Sequence, residues 1–156
     1  WAGSIGGAGF KGEATWFYTF DALPGVRRTT LVAATGLNYM LPTSTFVVFE
    51  LLYNGGYQAA HSEAVMLDMP LRPDNIMFSE YAITLSLQHP FSPVFNGNLA
   101  MMALPDQKAF LLLPSTSMSL MTNLDFDLIA QIIMGGEGTI FQQAGSAWYI
   151  ALKYSF

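Results

Sequence analysis

The last eleven residues, SAWYIALKYSF, put a large apolar side chain at every second position: Trp148, Ile150, Leu152, Tyr154 and Phe156. Ala147, Tyr149, Ala151, Lys153 and Ser155 alternate with them. A period of two marks a strand with one apolar face and one small or polar face. Turn signals cut the rest of the chain into seven further segments of this kind. Residues 9–20 set Phe10, Ala14, Trp16, Tyr18 and Phe20 against Lys11, Glu13, Thr15 and Thr19, and Pro24-Gly25 then turns the chain. Residues 29–41 alternate more weakly, with Leu31, Leu37 and Tyr39 on the apolar side. Residues 45–54 oppose Val47, Phe49, Leu51 and Tyr53 to Glu50 and Asn54. After a long loop at 55–78, residues 79–89 oppose Tyr81, Ile83, Leu85 and Leu87 to Glu80, Thr84, Ser86 and Gln88. Three more segments follow at 94–104, 109–123 and 124–135, the last with Leu124, Phe126, Leu128, Ile132 and Met134 against Asp125, Asp127 and Gln131.

The charges obey this pattern. Lys11, Glu13, Glu50, Glu80, Asp125, Asp127 and Lys153 fall inside the predicted strands, and all seven take the side opposite the apolar residues. A surface facing hydrocarbon demands this, because a charge at its midplane costs roughly 2–4 kcal/mol. The aromatics sort as well. If consecutive strands run up and down, Trp16, Tyr18, Phe20, Tyr53, Tyr81, Phe110 and Trp148 gather toward one rim. Phe10, Tyr39, Phe95, Phe126, Tyr154 and Phe156 gather toward the other, and only Phe49 is mid-strand. Two aromatic girdles are what a barrel shows at its two membrane interfaces.

Composition points the same way. The chain of 156 residues is 52% hydrophobic and only 11% charged, against about 25% charged in an ordinary soluble domain. Its mean hydropathy is +0.36. Yet AMMALP, AFLLLP and DLIAQIIMGG are far short of the roughly 20 apolar residues a membrane helix needs. Strands of about 9–11 residues suffice in a transmembrane barrel. The expected fold is therefore all-β: one domain over 1–156, an antiparallel up-and-down transmembrane β-barrel of about eight strands, or the C-terminal part of a larger one. Cysteine is absent, which removes disulfides and thiolate metal sites, and a net charge of −5 without a basic patch argues against nucleic acid.

A terminal strand of alternating apolar residues ending on Phe156 resembles the sorting signal of Gram-negative outer-membrane barrels. The resemblance implies that Trp148, Ile150, Leu152, Tyr154 and Phe156 are read by the barrel-assembly machinery. It also implies a bacterial outer-membrane location, with the lipid bilayer as solvent. GFKGEATWFY is similar to internal strands of larger porin-like outer-membrane proteins. WAGSIGGAG reads as the tail of an earlier strand entering a turn at Gly6-Gly7. A complete small barrel and the closing part of a wider one both stay open. The first would be filled by its own side chains, the second would enclose water.

The face opposite the lipid is mixed. Beside the seven charges it carries Asn38, Asn96, Asn98, Gln88 and Gln131, but also Phe46, Val48, Leu52, Leu111, Leu113, Ile129 and Ile133. A filled or plugged lumen, or a path for an apolar solute, fits this better than a wide aqueous pore. Asp125 and Asp127 have Lys153 as a candidate partner, and Glu13, Glu50 and Glu80 with Lys11 a candidate network, since a buried charge needs pairing. Gly7-Ala8-Gly9-Phe10-Lys11-Gly12 satisfies G-x-G-x-x-G, but a dinucleotide site needs a helix next, and a strand follows. His61, His89 and the serines lack the context of a catalytic triad, so no enzyme and no cofactor or metal are expected. Loop 55–78 is apolar for a loop, and Met66, Leu67, Met69, Leu71 and Met77 are candidate contacts for a protein partner, for the barrel's own lumen or for its own rim. The leading expectation is a porin-like channel for small solutes. The alternatives are a structural or partner-binding barrel and a soluble barrel holding an apolar ligand.

Overall fold

In the computed structural model, which describes residues 1–20, 28–57, 73 and 75–156, the chain forms one antiparallel sheet of nine strands in sequence order. The strands are β1 (Ala2–Ile5), β2 (Ala8–Tyr18), β3 (Thr29–Met40), β4 (Phe46–Asn54), β5 (Tyr81–Ser92), β6 (Phe95–Leu104), β7 (Ala109–Met121), β8 (Leu124–Met134) and β9 (Ser146–Tyr154). A single 3-10 turn, Pro105–Gln107, joins β6 to β7. Strands β2 to β9 run 9 to 13 residues each, about twice the usual length in soluble domains. Among the described residues no helix is long and apolar enough to cross a membrane, a statement that leaves strands aside.

The pairing register confirms the alternation read from the sequence. One cross-strand row runs Phe10–Leu37–Phe49–Leu85–Met101–Leu112–Ile132, and the next on that face runs Tyr39–Val47–Leu87–Leu99–Pro114. The opposite face carries Lys11–Gly36–Glu50–Thr84–Met102–Leu111–Ile133. Directly opposed residues in a sheet share a face, so apolar meets apolar across seven strands. A slip of one residue anywhere would exchange the faces.

Several boundaries differ from the expectation. There are nine strands, because residues 2–5 form β1 and turn back through Gly6 and Gly7, both at positive φ (57° and 85°). Glu80 lies just ahead of β5 rather than within it. Residues 90–93 are not a plain turn, since β5 continues through Pro90 to Ser92 with a register shift between them. Proline offers no N–H to a ladder and is tolerated at such a bulge. Pro24-Gly25, His61, Met66, Leu67, Met69 and Leu71 lie outside the described residues. The described sheet is open, with β1 and β9 at its edges.

Little of the sheet is buried. Ala82, Leu104 and Ala109 form a small core cluster on the charged face, near the Pro105–Gln107 end. On the apolar face large side chains stand in solvent, among them Trp16 at 73%, Trp148 at 64% and Ile150 at 69% exposure. No second layer of described residues covers them.

Candidate functional site

The charged face begins with an ion pair that spans a strand. Lys11 on β2 and Glu50 on β4 both oppose Gly36 on β3, and their side chains meet over it, Nζ to Oε1, at 2.9 Å. A Cβ at position 36 would lie 2.9 Å from Glu50 Cγ and 3.1 Å from the Phe49 carbonyl oxygen. Glycine leaves the space that the bridge uses. Around it is a hollow of about 390 Å³ lined by Lys11, Glu13, Gly36, Glu50, Leu52 and Met77, among others.

A second polar assembly sits where β4, β5 and the β6–β7 turn meet. Asn54 and Ser79 are fully buried. The Asn54 amide nitrogen donates toward the Met77 carbonyl (2.7 Å), Asn75 Oδ1 (3.0 Å) and the Ser79 carbonyl (3.1 Å). Its Oδ1 is buried with no partner among the described residues. Turning the amide over would aim that oxygen at three others, so the orientation is forced. The Ser79 hydroxyl faces both the Tyr81 carbonyl at 2.7 Å and Asp106 Oδ1. Asp106 also accepts from the Glu80 amide (3.1 Å), the Tyr81 amide (3.3 Å) and Gln107 Nε2 (3.0 Å), and Gln107 donates onward to the Tyr57 hydroxyl at 2.7 Å. Partial burial pushes the Asp106 carboxyl up, but hydrogen bonds from Ser79, Gln107 and the Glu80 and Tyr81 amides outweigh it and leave it below its ordinary value.

The remaining candidates are placed as follows. Asp125 directly opposes Lys153, and Asp127 opposes Ala151. No ion pair joins Lys153 to either among the described residues. Asp125 instead accepts from the Ser119 hydroxyl at 2.9 Å, because a serine across the strand pair reaches it with less side chain to order. Glu80 is drawn toward Asp106 through its backbone rather than toward Lys11 and Glu50. Within the G-x-G-x-x-G run, Gly7 makes the turn, Asn38 lies over Gly9 and the Trp1 indole lies over Gly12; β2, not a helix, carries the run. Trp148, Ile150, Leu152 and Tyr154 project together from edge strand β9 and are all well exposed. No group of three or more His, Asp or Glu side chains fit to hold a metal occurs among the described residues.

Sequence reading did not anticipate the Asn54–Ser79–Asp106 assembly. Its only local signal was an Asn at a strand end and a Pro-Asp turn, both ordinary in loops. Met77, expected as a loop contact, packs on the charged face beside the Ala82, Leu104 and Ala109 cluster, with Phe141 from the β8–β9 connection also against it. No family model, curated protein or solved structure matches this chain.

Proposed function

We propose that this sheet is the wall of a porin-like barrel in a bacterial outer membrane, passing small solutes along its charged face. The observation that carries the reading is the apolar face, which is continuous across the strands, free of charge and uncovered by any other described layer. Strands of 9 to 13 residues, rising about 3.3 Å per residue and tilted near 45°, match an apolar band roughly 25 Å tall. The exposed alternation on β9 supports recognition by the assembly machinery. In hydrocarbon an unpaired strand edge is untenable, so the reading requires β1 and β9 to find strand partners.

A second reading, a structural or partner-binding barrel with a filled lumen, is favoured by one observation: Met77 and Phe141 already pack over part of the charged face. The two readings separate on function. The native chain is expected in the outer-membrane fraction, released only by detergent, and to give discrete conductance steps in planar bilayers. Glu50→Gln and Asp127→Asn should each shift the ion selectivity of those steps away from cations. Recovery in the aqueous fraction would overturn both barrel readings, and membrane extraction without conductance would leave the second.

A further inference from the structure

The two ends of the charged face differ in chemistry. Toward the turns at 42–44 and 122–123 its rows are Gln88–Asn98–Ser115 and Asn96–Ser117–Asp127. Toward the opposite end the row is Leu52–Ala82, continued by Leu104–Ala109, with Met102–Leu111 beside it. From Leu52 across β5 to β7 an apolar collar thus bounds a polar stretch, while the same two rows carry Glu13, Lys11 and Glu50 on β2 and β4. Onto this collar comes Met77, from residues 75–80, a segment outside the sheet's nine strands.

That segment is held by polar anchors on both sides of Met77. Asn54, at the end of β4, takes Asn75, the Met77 carbonyl and the Ser79 carbonyl. Asp106, in the β6–β7 turn, takes the Ser79 hydroxyl and the amides of Glu80 and Tyr81. One carboxylate therefore carries two of the strap's attachments and one from the first residue of β5. The β5–β6 pairing starts only at Ile83–Ala103 and uses none of them. Losing Asp106 would loosen the C-terminal end of the strap, which Asn54 still holds, while leaving the ladder in place.

We propose that residues 75–80 form a latched cork in which Asn54, Ser79 and Asp106 seat Met77 on the apolar collar and so constrict the solute path along the charged face. The role in solute passage rests on the channel reading above; the latch itself rests on the hydrogen bonds. Met suits the seat because its flexible thioether fills an irregular apolar surface without a fixed shape.

The chain has no cysteine, so a single Met77→Cys reports on the seat alone. Its reaction with a water-soluble maleimide would be followed on the full chain, folded in detergent micelles. Asp106→Asn or Ser79→Ala in that background is expected to speed labelling by about tenfold, as local opening becomes easier. Ser119→Ala, which removes the hydrogen bond to Asp125 at the far end of the sheet, should leave the rate unchanged. If Asp106→Asn loses its β-sheet circular dichroism, Ser79→Ala alone decides. Equal labelling rates in parent and latch variants would overturn the latch. Faster labelling together with larger single-channel conductance would support the whole proposal. Faster labelling with no conductance in the parent or any variant would sustain the latch and overturn the channel reading and the constriction with it.

Discussion

At the scale of single residues, the charged face is organised by what small side chains permit. Lys11 and Glu50 are two strands apart and meet only because nothing projects from Gly36 between them. From sequence, the charges could be assigned to a face but not paired, since pairing depends on register, which no local pattern encodes. The same limit hid Asp106, which read as one carboxylate in a Pro-Asp turn. Its four donors come from positions 79, 80, 81 and 107. The sign of its pH response follows from that surround. Hydrogen bonds to the ionised form favour it, so the folded carboxyl titrates below its ordinary 3.8. Its contribution to stability is whole above that value and is lost as pH falls through the lower folded one. In a pH titration of the folded protein, the backbone amide resonances of Glu80 and Tyr81 should therefore shift with a common midpoint below 3.8. A midpoint at or above that value would contradict the latch geometry.

At the scale of the strand, period-two alternation was legible almost throughout, and the nine-strand meander follows it within a few residues at each boundary. Alternation survives because each strand has one consistently apolar side, and turn residues punctuate it. Less legible was the height of each residue in the sheet. Phe10 is the third residue of β2 and Phe49 the fourth of β4, and the register sets both on one cross-strand row. Tyr39 and the opposing Val47 likewise lead along a row that reaches Pro114. Stagger between neighbouring strands accumulates over the sheet, and it is a property of pairs that a single strand does not carry. The two faces make a direct test. Leu85 lies on the apolar face and Ser86, one residue on, lies on the other. If the apolar face meets lipid, Leu85→Arg should cost about 2–4 kcal/mol in denaturant unfolding from lipid vesicles, and Ser86→Arg under about 1 kcal/mol. Equal costs would mean that the two faces see the same solvent.

At the scale of the whole molecule, the decisive feature is the pair of open edges, β1 and β9. In water bare N–H and C=O groups are solvated at little cost, but in hydrocarbon each costs several kcal/mol. A membrane wall built from this sheet therefore needs a strand partner for each of the two edges. Trp148, Ile150, Leu152 and Tyr154 stay exposed on β9, whose outer side no described strand flanks. The consequence is measurable without knowing the solute. In native mass spectrometry of the detergent-solubilised protein, a species heavier than the 17.1 kDa of this chain would mean that the two edges pair with strands other than each other. Denaturing mass analysis then separates a longer polypeptide from an oligomer. A native species at 17.1 kDa would mean that β1 and β9 close on each other, into a narrow barrel whose lumen its own side chains fill. The charged face would then be a packed interior rather than a path, and the ion pair over Gly36 would serve the fold.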